Sequence, residues 1–182
     1  MRWYQGGPEL DREIRERFSG AVEAALAGEL AAWSRDIGGR VALLLLLDQF
    51  TRSIYRDTAR AYAGDAEAQR LALEAFDRGL DEGIDHEWHN FLIMPLVHAE
   101  SVALQERAVA EMERLHSAAP EALRHVYDMG LEQAHKYQEI IARFGRFPHR
   151  NAVLGRASTP EETEFLRDWA SKAAPEAMRS KS

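Results

Sequence analysis

Between Arg143 and Arg156 the chain reads Arg-Phe-Gly-Arg-Phe-Pro-His-Arg-Asn-Ala-Val-Leu-Gly-Arg, four arginines and a histidine with no acid among them, in a protein of formal net charge −7. Guanidinium groups are planar forks that engage the oxygens of a carboxylate or phosphate in pairs. Such a stretch therefore either meets carboxylates supplied by the rest of the fold or receives an anion. Arg146, His149, Arg150 and Asn151 are the candidates for contacting a ligand. Pro148 sets a turn that should aim the two sides of the loop differently, with Arg146 structural and with His149 and Arg150 toward an accessible pocket.

Three further groups carry chemistry. Asp48, Gln49, Arg52, Tyr55 and Arg56 follow directly on a leucine run. Asp48 and Arg52 share a helix face with Tyr55 or Arg56, which allows an intrahelical ion pair on a solvated edge or a polar cluster facing core. Met94-Pro95-Leu96-Val97-His98-Ala99-Glu100 is the second, with Gln105 on the same face as His98. His98 and Glu100, two apart, point about 200° apart on a helix and cannot share a metal unless the helix is irregular there. His98 or His149 could act as acid or base with Glu100 orienting it, and Glu100 is equally a partner for a loop arginine. His135 and Glu139, spaced i,i+4, lack the third protein ligand of a recognisable zinc motif, so their pairing on the helix surface is the duller account. No metal and no cofactor is expected.

The elements that must position these groups all carry the helical period. Ile14, Phe18, Val22 and Leu26 recur every four residues from Glu9 to Gly28, and Gly28 suits the C-terminal cap. Gly38-Gly39 should break the chain before a second helix, Arg40 to Arg56, whose Val41–Leu47 run is apolar on every side and so belongs in the middle of a bundle. Asp65 is the expected N-cap of a third helix to about Leu80. Asp85 to Phe91 reads as a short helical turn. Pro95 suits the first turn of a fourth helix to about His116, and Pro120 the start of a fifth, through Leu131, Ile140 and Ile141 to Phe144. Gly145 and Pro148 stop that helix, so the cationic stretch is an irregular loop. Thr159-Pro160-Glu161-Glu162 has the form of a capping box with proline at the first helical position, and a last helix should run to about Ala170.

No segment alternates with period two, so the fold class is all-α. Consecutive helices joined by short turns give antiparallel helical hairpins, arranged as a tetratricopeptide-like α-α superhelix or a compact helical bundle. The 182 residues suit one domain, 1–171, with a small, polar, aperiodic stretch 172–182 expected as a disordered tail. The acidic balance argues against a nucleic-acid partner, the absence of cysteine suits a reducing compartment, and no apolar stretch approaches the roughly 20 residues of a membrane span. A cytoplasmic protein is expected.

Leu46-Leu47-Asp48-Gln49-Phe50 with Arg52, Tyr55 and Arg56, Met94-Pro95 with His98 and Glu100, and above all the 143–156 loop with Thr159 and Glu161-Glu162, resemble the bacterial domain of unknown function 924 family. The resemblance runs from about Trp3 to Trp169. It departs at Thr51, Ser53 and Ala99, where that family favours proline, asparagine and serine. It implies a helical fold similar to tetratricopeptide-like stacks and no established reaction.

The leading expectation is a helical protein with a polar pocket or groove, in which the loop arginines meet Asp48 and Glu100 and leave charge for a small anionic ligand. Its candidate ligand-binding residues are Asp48, Gln49, Arg52, Arg56, His98, Glu100, His135, Arg146, His149, Arg150 and Asn151. One alternative is a non-catalytic scaffold whose groove takes a peptide or protein partner. The other is a hydrolase-like enzyme using His98, Glu100 and His149 in acid–base roles.

Overall fold

The computed structural model describes residues 7–173, apart from the side chains of residues 87, 122, 123, 126 and 170–173. Among the described residues eight α-helices follow one another: α1 Pro8–Leu26, α2 Ile37–Leu44, α3 Thr51–Ile54, α4 Asp65–Asp77, α5 His86–Val97, α6 Val102–Ala118, α7 Glu121–Phe144 and α8 Pro160–Ala173. A π turn, Leu45–Phe50, joins α2 to α3 without a break in the coil. There is no strand among the described residues, and no helix is long and apolar enough to cross a membrane.

The apolar run does what its all-round hydrophobicity requires. Val41, Leu43, Leu44, Leu46 and Leu47 are all buried, with α1 against the π turn and α3, and α4 and α5 against α2. From there each helix packs on the next, α4 on α5, α5 on α6 and α6 on α7. The link between α6 and α7 is only two residues, which forces the chain to reverse. Of the two arrangements open to the sequence, the compact helical bundle fits. A second apolar cluster of Ile140, Ile141 and Phe147, with Phe144, Phe165 and Trp169 packed on it, seats α8 and the cationic loop against the end of α7.

Gly28 ends α1 as expected. At φ 77° it is left-handed, its N–H bonds the Ala25 carbonyl at 3.0 Å, and the next N–H reaches back to Ala24 at 2.9 Å, the pattern of a Schellman cap. The capping box of α8 also forms: Thr159 Oγ1 accepts from the Glu162 N–H at 3.1 Å, and Glu162 Oε2 accepts from the Thr159 N–H at 2.7 Å.

Four local expectations are corrected. Gly38 and Gly39 do not interrupt the chain; they form the first turn of α2, capped by Asp36, whose Oδ1 accepts from the Gly39 N–H at 2.9 Å. Gly39 is there for closeness, since a Cβ on it would collide with the main chain of Trp33. Asp65 does not cap α4. It lies in the first turn and turns its carboxylate to Arg52 at 2.7 Å, while Gly64 takes the cap position against the main chain of Leu47, too close for any Cβ. The stretch from Asp85 is a full helix, and Pro95 sits in its last turn rather than opening the next. That placement takes one hydrogen bond out of α5 near its end, where Ser101 restarts the chain as the N-cap of α6. Finally, α8 runs past Ala170 to Ala173, and residues 174–182 of the expected tail lie outside the described residues.

Candidate functional site

The helix break after Val97 and the π turn before Thr51 bring together two residues fifty positions apart. A π turn holds one residue more than the regular spiral, and here Asp48 falls inside it, 1% exposed. His98 caps the C-terminus of α5, and its Nδ1 stands 2.8 Å from Asp48 Oδ1 and 3.0 Å from Oδ2. Gln49 Nε2 donates to the same carboxylate, and Arg52 Nη2 lies 3.5 Å away. Burial pushes the Asp48 carboxyl up, but His98, Arg52 and Gln49 outweigh it and hold the group below the usual carboxylate range. An ionised carboxylate only accepts, so Nδ1 is the ring nitrogen of His98 that donates to Asp48.

Around this pair lies a charge-matched cluster. Arg52 donates to Asp65 and to the carbonyl of Ala61 and covers the ring of Tyr62 at 4.4 Å. Arg150, buried, donates to the His98 carbonyl at 3.0 Å, stands 3.5 Å from Asp65, and lies over both Tyr62 at 4.7 Å and Phe147 at 4.5 Å. Asp65 thus bridges two guanidinium groups, and its burial still raises its carboxyl above the ordinary value. Glu100 is clamped by Arg156 at 2.6 and 2.9 Å and accepts from the Phe147 N–H at 2.8 Å. Burial raises Glu100 and these donors lower it, with a net shift down.

These distances correct the expected pairing. No loop arginine meets Asp48, because His98, Gln49 and Arg52 already occupy it. Arg143 pairs with Glu161, Arg146 with Glu162, Arg150 with Asp65 and Arg156 with Glu100. Arg146 is joined to Glu162 at 2.7 and 2.8 Å and to the Ala157 carbonyl at 2.9 Å. Arg150 does not face an accessible pocket; it is 6% exposed. Asn151 is buried too, its Nδ2 donating to Ser158 and Glu162. Glu100 orients neither histidine, since the helix has ended before it and its oxygens belong to the loop. Within the Asp48–His98 cluster, Asp65, Glu100 and Asp48 stand against Arg52, Arg150 and Arg156, so protonation of His98 is what would tip it positive.

Three more candidates lie apart or play other parts. Arg56 is drawn to Asp11 of α1 at 2.6 Å. His135 and Glu139 are exposed on α7 with no hydrogen bond or ion pair between them, and no group of three metal-ligating side chains occurs among the described residues. His149 has an exposed edge, but its ring stacks on Trp169 at 5.8 Å and 15° and lies 5.4 Å from Phe147. Loss of water around the ring, with Arg150 next to it, takes its pKa down to about 4.

The sequence reading missed Asp65 as a member of the cluster, and Tyr62. The i,i+4 rule finds Arg52 from Asp48, but nothing local links either to a turn ten residues on. Helical spacing puts Gln105 on the face of His98; its role is different. Buried completely, it donates to the carbonyls of Val97 at 2.7 Å and Ala99 at 2.8 Å, serving the C-terminal groups of α5 that lack helical partners.

A family model described as bacterial protein of unknown function (DUF924) matches residues 1–169, which span the π turn, the α5 break and the whole cationic loop. The chain belongs to this family. A solved structure of a protein of unknown function from Agrobacterium tumefaciens, ATU0120, is similar at 37% identity and a TM-score of 0.80, covering 91% of this chain and 88% of that one. No curated protein matches. The family membership and the shared fold bear out the all-helical architecture and carry no reaction with them.

Proposed function

We propose that this chain is an acid–base enzyme of hydrolase type, in which His98 exchanges a proton through Nε2 with a small polar or anionic substrate and Asp48 positions the ring. One observation carries the reading: Nδ1 of His98 is held by a carboxylate 1% exposed, while Nε2 has no protein partner among the described residues on a side chain 17% exposed. A buried carboxylate on one ring nitrogen fixes the tautomer and stabilises the imidazolium formed when the other nitrogen takes a proton. In such a step Nε2 removes the proton of a water or hydroxyl as its oxygen attacks, then returns it to the leaving group. The charge balance of the cluster supports negative charge developing at the transition state, since the proton taken up by His98 brings a positive charge that Asp48, Asp65 and Glu100 leave unmatched.

The test combines a turnover screen with nitrogen NMR of the histidines. Aryl carboxylic and phosphoric esters are offered to wild type, His98→Gln and Asp48→Asn. His98→Gln is expected to lose on the order of 10²–10⁴-fold in rate with its helical circular dichroism intact. Asp48→Asn should share much of that loss. Equal turnover in His98→Gln, or a neutral His98 ring protonated on Nε2, overturns the reading.

A further inference from the structure

A cavity of about 420 Å³ opens between α2 and the connection from α4 into α5, on residues that take no part in the cluster around His98. Ile37, Val41, Leu45 and Ile84 wall it, Trp88 borders it with 45% of its surface exposed, and Asp85 is its one ionisable lining residue. The volume lies within the range of small-molecule sites, about 300–1,000 Å³, and the lining has their usual character, apolar with a single charged group. A tryptophan left this open beside an apolar hollow calls for something to cover it.

Charge says what. Asp85 stands at the N-cap of α5 with no side-chain capping bond, and no hydrogen bond or ion pair from any described residue reaches its carboxylate. Asp36 is close by, its Oδ1 only 3.4 Å from where a Cβ on the lining Gly38 would be. Glu82 precedes Asp85 in the same connection, Asp81 is turned away to Arg114, and no lysine or arginine lines the cavity. The hollow is therefore apolar inside and anionic at its border, with an aromatic face beside the carboxylate.

We propose that this cavity binds a small organic cation with an apolar body, of the arylalkylamine class. The body fills the space between Ile37, Val41 and Leu45, and the ammonium group sits between the ring of Trp88 and the carboxylate of Asp85. Both partners favour the cation, the ring through its negative face and the carboxylate through its charge. A neutral molecule of the same shape keeps only the apolar contact, and an anion meets repulsion.

The experiment titrates the intact protein, carrying isotope-labelled tryptophan, with tryptamine, 3-methylindole and indole-3-propionate, which share an aromatic body and differ in charge. Trp88→Phe assigns the Trp88 indole signal. Tryptamine is expected to move that signal to saturation and leave those of Trp33 and Trp169 in place. The neutral compound should bind about fivefold more weakly, as loss of one exposed ion pair and one cation–π contact implies, and the anion more weakly still. Asp85→Asn should bring tryptamine down to the level of 3-methylindole, and Ala42→Arg, at a partly exposed lining residue, should abolish binding of both. The proposal is overturned by a Trp88 signal that stays still at millimolar tryptamine, by indole-3-propionate binding as tightly, or by a Trp88 shift that follows protein concentration alone, which would make a second copy of the chain the cover.

Discussion

The guanidinium of Arg150 donates to the main-chain carbonyl of His98 across 3.0 Å, so the cationic loop is tied to the very residue whose ring is oriented by Asp48. The loop therefore acts as a brace. Its positive charges are spent on Glu161, Glu162, Asp65 and Glu100, and its effect on the site is to hold α5, where that helix ends, against the π turn.

Removing the brace should be costly. Arg150→Met takes away a buried cation and leaves the partly buried Asp65 with Arg52 alone, and breaking a buried pair of this kind costs about 3 kcal/mol. Arg150→Lys should recover little of it, because a point charge cannot reach the His98 carbonyl and Asp65 while lying flat on Tyr62 and Phe147. Urea unfolding of the two variants checks both statements, and a loss under 1 kcal/mol in Arg150→Met would show that the ion pair and its ring contacts are dispensable.

Gln105 should matter to the site without touching it. In Gln105→Leu the carbonyls of Val97 and Ala99 lose a buried donor, at about 2 kcal/mol, and the end of α5 is freed to shift. The ring resonances of His98 should move in this variant, whereas those of His135, exposed on α7, stay where they are. Unmoved His98 signals would mean that Asp48 and Arg150 suffice to place the ring.

Acid should weaken the link between the loop and α8 late in a titration. The Arg146 guanidinium, helped by the Thr159 N–H and Asn151, holds Glu162 at about 2, below its ordinary 4.5. A carboxyl depressed in the folded state contributes stability above its unfolded pKa and loses it as pH falls through the folded value, so this contribution fades between about pH 4.5 and 2. The difference in stability between wild type and Glu162→Gln, followed by denaturant unfolding against pH, should therefore shrink across that window. A difference that stays constant below pH 4 would place the interaction elsewhere.

His149 should remain neutral well into acid. With its ring packed against Trp169 and Phe147 and Arg150 adjacent, its proton NMR titration should have a midpoint near 4. Trp169→Ala readmits water to the stacked face and should raise the midpoint. A wild-type midpoint near 6.5 would show the ring to be as wet as its exposed edge.

Much of the helical frame was legible in the residues. Ile14, Phe18, Val22 and Leu26 could only make one apolar stripe, the run from Val41 to Leu47 had to be buried on nearly every side, and Thr159 with Glu162 closes a capping box through bonds three residues apart. Gly145 and Pro148 end α7 by backbone geometry alone, one supplying a left-handed cap at φ 69° and the other lacking an N–H. All of these are local, settled by steric and hydrogen-bond rules within one or two turns.

What the tertiary structure alone decided is which charge meets which. Pro95 was compatible with either end of a helix, and its place in the last turn of α5 is served by Gln105, from the next helix, which donates to the buried carbonyls of Val97 and Ala99. Asp48 could have faced water beside Arg52; the extra residue of the π turn and the packing of α5 turned it inward to His98. Asp65, free to cap α4 by local rules, was taken by two arginines because Gly64 lets its turn press against Leu47. Pair energies among charges depend on distance and on the water excluded around them, and both are set by helix packing across dozens of residues. The sequence by itself therefore determined that the chain is helical and where its cations are concentrated, and the packed bundle decided that one of them, Arg150, would hold the main chain of His98 and the carboxylate of Asp65.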